Sequence, residues 1–113
     1  MADQNPDGTD CSRLEPFALQ VLGDAMAPEF PDRCVVIIAP GDRCGPGSYV
    51  LAQVAGERWF RKYVRDHEGG EHLIAENRSY PDIALAGRDW AILGVIVQRN
   101  IRRKIKHYHP DQG

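Results

Sequence analysis

Breaks in this chain come too often for long helices. Gly23-Asp24, Pro40-Gly41-Asp42, Gly45-Pro46-Gly47, Ala55-Gly56-Glu57 and Gly69-Gly70 are turn signals, because glycine tolerates positive φ and proline presets the bend. The apolar segments between them are short. Phe17, Leu19 and Val21 alternate with Ala18, Gln20 and Leu22, the period of two that turns one side of a strand toward a core. Residues 34–39 form a nearly continuous apolar run, as in a buried strand, and residues 49–54, 58–65, 72–75 and 90–97 supply further strands. Only residues 26–30, just before Pro31, leave room for a helical turn. The pattern predicts a mainly β domain of short, mostly antiparallel strands with little helix.

With 113 residues the chain suits one small domain, able to bury about two thirds of the surface its unfolded form exposes. A net charge of −2 with 27% charged and 42% hydrophobic residues describes an ordinary folded chain, neither disordered nor basic enough to demand nucleic acid. Residues 1–14 carry Asp3, Asp7 and Asp10 without a periodic apolar face, which predicts a flexible acidic leader. The domain is placed at 15–108 and a tail at 109–113. No apolar run approaches the roughly 18 residues of a spanning helix, and the N-terminus lacks the basic and apolar regions of a signal peptide; no membrane role and a cytoplasmic location are expected. Cys11, Cys34 and Cys44 contain no Cys-x-x-Cys pair, so free thiols are expected. His107-x-His109 lacks further ligands at metal spacing, and neither metal nor cofactor is expected. The repeated Asp32-Arg33-Cys34 and Asp42-Arg43-Cys44 are not followed by similar segments and are read as shared turn chemistry.

Four motifs, in order, one of them spread over three segments, resemble the peptidase domain of LexA, the phage repressors and UmuD, the serine–lysine dyad family. Val21-Leu22-Gly23-Asp24-Ala25-Met26-Ala27-Pro28 is similar to the Gly-x-Ser-Met-x-Pro nucleophile segment at every motif position except the serine. Pro31-Asp32-Arg33-Cys34, Gly47-Ser48-Tyr49-Val50-Leu51-Ala52 and Glu57-Arg58-Trp59-Phe60-Arg61-Lys62-Tyr63 resemble the turn and two strands that follow. An ungapped reading puts Arg61 on the position of the lysine base. Glu76-Asn77-Arg78-Ser79-Tyr80-Pro81-Asp82-Ile83 looks like the family's Asn-x-x-aromatic-Pro segment, and residues 92–97 like its closing Gly-Val-Ile strand. The resemblance implies a LexA/signal-peptidase-like, β-barrel-type fold over residues 16–98.

The two departures concern chemistry. A serine–lysine dyad needs a hydroxyl to attack the carbonyl and a neutral amine within reach to accept its proton. Ala25 has no oxygen, and an arginine at position 61 stays protonated and offers no acceptor lone pair. Loss of the nucleophile alone costs about a millionfold in turnover in triad enzymes. Lys62 is the substitute base the sequence offers, but strand neighbours face opposite sides: Trp59, Arg61 and Tyr63 on one, Phe60, Lys62 and Val64 on the other. Ser48, Cys34 and Cys44 have no evident His or Asp partner as replacement nucleophiles. The Ala-Gly pairs, Ala55-Gly56 and Ala86-Gly87, lie downstream of Ala25, whereas the resemblance implies cleavage of an upstream Ala-Gly bond. The expected function is a catalytically inactive domain that binds a peptide or protein partner; the alternative is a working peptidase in which residue 25 has been changed from serine or the base rearranged.

Hydrolysis can be lost while binding survives, because an extended peptide is held by main-chain hydrogen bonds to a sheet edge. Gly23, Met26, Trp59 and Tyr63 are the candidate substrate-binding residues, with Arg61 able to engage a carboxylate bidentately; Trp59 and Tyr63 are equally consistent with core positions. Arg99, Arg102, Arg103, Lys104 and Lys106, interleaved with Ile101 and Ile105, form a basic run, read as protection of a solvated strand end over a phosphate-gripping surface. The resemblance implies a homodimer, with residues 95–105 as its seam.

Overall fold

The computed structural model describes residues 15–42 and 44–108. The expectations for the leader 1–14, Cys11, Arg43, His109 and the tail 109–113 lie outside the described residues. Eight strands follow one another: β1 (Phe17–Gln20), β2 (Val35–Pro40), β3 (Tyr49–Val54), β4 (Glu57–Arg65), β5 (Glu71–Ile74), β6 (Ile83–Ala84), β7 (Trp90–Ile101) and β8 (Lys104–His107). They make one sheet in the order β1-β2-β7-β3-β4-β5-β6, with β8 beside β7. Each pairing is antiparallel, so the β-rich expectation holds. No helix occurs among the described residues; residues 26–30 make a single turn, closed by the Phe30 N–H donating to the Met26 carbonyl at 2.8 Å.

β7 is the axis of the sheet. Its residue Val95 lies opposite Ala39 of β2 and Val50 of β3, while Gln98 lies opposite Ile37 of β2 and His107 of β8. β3 and β8 therefore share one edge of β7 in succession, and β2 takes the other. The register slips between Ile37 and Ile38 and between Leu51 and Ala52, leaving Val97 and Leu93 as extra residues that add twist. Gly94 sits between these bulges, where an added Cβ would lie 2.5 Å from Ile38 Cγ2 and 2.9 Å from the Ala39 carbonyl oxygen. Only a bare backbone lets β2 come so close.

Strand alternation builds a core on each face. Val21, Met26, Phe30, Cys34, Val36, Ile38, Leu51, Ala75 and Ile96 form one, with Tyr49, Phe60 and Tyr108 packed on it. Val50, Ala52, Val54, Tyr63, Leu73, Leu85 and Ile92 form the other, flanked by Trp59 and Trp90. Residues 21–34 thus cover one face and Leu85 helps cover the opposite one. The β3–β4 and β7–β8 hairpins turn on two residues at positive φ each, Ala55-Gly56 at 51° and 87° and Arg102-Arg103 at 49° and 73°. Such turns match the twist of the flanking strands. The second one converts the basic run, expected as a strand end and tail, into a hairpin. Both edges of Gln98–Asn100 are occupied within the chain, by β2 and by β8.

Candidate functional site

The segment resembling a nucleophile loop begins at Gly23, whose φ of 91° sends the chain off the end of β1. Asp32 fixes that bend: its Oδ1 accepts the Gly23 N–H at 2.7 Å. The Val21 N–H donates to the Cys34 carbonyl at 2.8 Å and the Arg33 N–H to the Val21 carbonyl at 2.6 Å, closing the loop at its base. Within it the Ala27 N–H donates to the Asp24 carbonyl at 3.1 Å, and the Ala27–Pro28 peptide is cis.

A second resembling segment, 76–81, docks directly on the first. The Asn77 N–H donates to the Ala25 carbonyl at 3.0 Å, and Asn77 Nδ2 donates to the Asp24 carbonyl at 3.2 Å. Asn77 Oδ1 accepts the Ser79 N–H at 3.0 Å, the local turn that asparagine side chains favour. This turn swings Tyr80 back so that its hydroxyl donates to Asp24 Oδ1 at 2.6 Å. The acceptor raises the Tyr80 hydroxyl pKa above its ordinary value and keeps the hydroxyl a donor.

Arg61 closes the arrangement from β4. It lies opposite Val50, a fully buried residue, and its guanidinium carbon stands 5.2 Å from the Trp59 ring centre and 5.8 Å from that of Tyr80. Arg61 is 9% exposed. Nη1 donates to the Phe60 carbonyl at 2.8 Å, while Nε is enclosed without a hydrogen-bond partner. Burial lowers the guanidinium pKa, opposed by the Tyr80 hydroxyl; arginine starts so high that it remains a cation. The route from Arg61 to the alanine turn runs through the Tyr80 ring and Asp24.

Lys62 leaves the other face of β4, opposite Tyr49. Its ammonium lies 3.8 Å from Glu76 Oε2 and 5.7 Å from the centre of the Tyr49 ring, and the same Glu76 oxygen accepts the Tyr49 hydroxyl at 2.7 Å.

Two expected groove residues are core residues instead. Met26 is 1% exposed and packs with Phe30 under the sheet; Tyr63 is 3% exposed, stacks on Trp90 and donates its hydroxyl to Glu71. Alternation put Tyr63 on the Arg61 face correctly, but that face is itself a core further along β4. Gly23 is exposed, Ala25 is half-buried, and Trp59 is half-buried against the second core. Cys34 and Cys44 are free thiols whose pKa values burial pushes up, and Ser48 is enclosed; neither thiol is activated. Tyr80, Asp24 and Asn77 were missed as site residues, although the Asn-x-x-aromatic-Pro spacing was the signal that contained two of them.

Behind the loop lies a second polar centre that periodicity did not reveal. Glu29 accepts Arg99 Nη1 at 3.2 Å, Lys106 Nζ at 2.7 Å and the Tyr108 hydroxyl at 2.7 Å, and its carbonyl accepts Arg99 Nη1 at 2.6 Å. Burial opposes ionisation of Glu29, but the hydrogen bonds from Lys106 and Tyr108, with the charges of Lys106 and Arg99, hold its carboxyl below the usual range. Two of the five cations of the basic run are therefore committed to the fold.

The Peptidase S24-like family matches residues 6–97. The chain belongs to that family. It is also similar to a LexA repressor from Verrucomicrobium spinosum, 36% identical over 85 residues that span 75% of this chain and 41% of that protein. This S24-like chain thus covers about two fifths of the relative's length. No described helix is long and apolar enough to cross a membrane.

Proposed function

We propose that this S24-like domain is catalytically inactive and serves as a peptide- or protein-binding module. The observation that carries the reading is the pair of side chains at the dyad positions: a methyl group at residue 25 and, at residue 61, a guanidinium enclosed by Trp59 and Tyr80. Neither proton abstraction nor nucleophilic attack has an atom to perform it. What remains is a loop pinned by Asp32 and Asn77 beside a strand, a rigid frame suited to holding an extended chain. Pairing of two copies belongs to the same proposal. Because β2 and β8 occupy both edges of Gln98–Asn100, such a dimer would use the outer edge of β8, and a mass measured by light scattering would read it.

Reversion tests the reading. Linker peptides containing Ala-Gly are incubated with the native chain, with Ala25→Ser, with Arg61→Lys and with the double variant, and cleavage is followed by mass spectrometry. No cleavage is expected from the native chain or from Ala25→Ser, and a gain only in the double variant. Robust cleavage by Ala25→Ser alone would mean that Lys62 or another group serves as base, and the working-peptidase reading would replace this one.

A further inference from the structure

Among the described residues two guanidiniums are drawn into this fold, and only one of them has a carboxylate partner there. Arg99, with its side chain 19% exposed, meets Glu29 at 3.2 Å. Arg61 is 9% exposed and, among the described residues, forms no ion pair. Its Nε is enclosed without a partner, its Nη1 uses a strand carbonyl, and no hydrogen bond from Nη2 is formed among the described residues. Asp24 approaches from the alanine loop, but Tyr80 intercepts it: the Asp24 carboxylate accepts the tyrosine hydroxyl at 2.6 Å, and on that side the guanidinium meets the tyrosine ring instead of the carboxylate. A desolvated cation without a counter-charge is costly, and two aromatic faces recover only part of that cost.

We propose that Arg61 is the receptor for a carboxylate on the bound peptide, flanked by Trp59 and Tyr80 as aromatic walls; this rests on the peptide-binding reading above. The planar fork matches a carboxylate at two points, and aromatic flanks hold the fork in one orientation. Asp24, kept 2.6 Å from the Tyr80 hydroxyl, leaves the cation available instead of neutralising it. The same chemistry is carried by a peptide C-terminus and by an Asp or Glu side chain.

Randomised octapeptide pools distinguish these sources. Three are passed over the immobilised full chain: free acids without Asp or Glu, C-terminal amides containing Asp and Glu, and amides lacking both. Retention of the first or second pool, each naming its source, with about 30-fold weaker retention of the third, is expected for a lost charge-assisted pair. Arg61→Gln should reduce retention of the acidic pools to the level of the neutral one. Arg61→Lys, which keeps the charge but not the fork, should hold them about tenfold more weakly than arginine, and serves if the glutamine variant does not fold. Equal retention of all three pools, or acidic pools held undiminished by both variants, overturns the carboxylate assignment and leaves peptide binding standing. No retention of any pool removes the peptide-binding reading and this inference together.

Discussion

Glu29 and Arg61 are each a charged group drawn in from the surface, and they are treated in opposite ways. Around Glu29, Arg99, Lys106 and Tyr108 converge from β7, β8 and the chain beyond it, so the carboxylate is surrounded by donors that only the folded chain assembles. Around Arg61 the described residues supply two rings and one carbonyl. The first arrangement spends its charge on joining the C-terminal hairpin to the alanine loop. The second leaves charge unspent beside that loop, as expected where a ligand completes the pairing.

The largest expected difference between the two centres is in stability. Glu29→Ala strands the Arg99 guanidinium and frees β8, and a loss of about 3 kcal/mol is expected in urea titration, because breaking a partly buried ion pair leaves an uncompensated charge. Arg61→Met removes a cation that has no carboxylate partner among the described residues and keeps its aliphatic stem. Its stability should stay within about 1 kcal/mol of the native chain, since relieved desolvation offsets the lost ring contacts. A loss from Arg61→Met as large as that from Glu29→Ala would erase the contrast and make Arg61 a structural residue.

Acid sharpens the same contrast. The Glu29 carboxyl titrates below its ordinary value in the folded chain, so the unfolded chain takes up a proton first as pH falls. The stability that Glu29 contributes is fully present above the ordinary carboxyl range and is lost as pH drops through the lower folded value. Thermal midpoints should therefore fall below about pH 5, and Glu29→Gln should flatten that fall while lowering stability at neutral pH. Arg61→Gln should leave the acid slope unchanged, because arginine does not titrate there; a changed slope would tie Arg61 to a carboxyl of the fold.

The sequence made these two centres legible to different degrees. Strand positions followed from local breaks: the 49–54 segment matches β3, and 58–65 falls one residue inside β4. β6 has two residues, too few for any period, and β8 was hidden in a basic run with no glycine at its turn. The Glu29 centre joins residues 70 to 79 positions apart, a pairing that depends on β7 bringing β8 beside the loop and leaves no local pattern. Arg61 was legible through the four resembling motifs and strand alternation. Its lack of a carboxylate was not, because alternation assigns a face without saying what else packs there.

The smallest effect probes the hairpin that carries Arg99 and Lys106, two of the three side chains that donate to Glu29. Arg102 and Arg103 stand at φ of 49° and 73°, a region where side chains with a Cβ are strained and asparagine less so. Asn100 eases the turn by accepting the Arg103 N–H at 2.9 Å, yet the strain remains in the backbone itself. Arg103→Asn should raise stability by about 0.5 kcal/mol, and by tightening the β7–β8 turn it should act in the same direction as the Glu29 contacts. In a Glu29→Ala background, where β8 is already loosened, the gain should shrink. A gain of full size in both backgrounds would show that the hairpin holds independently of Glu29, and that the carboxylate secures the loop and not the strand.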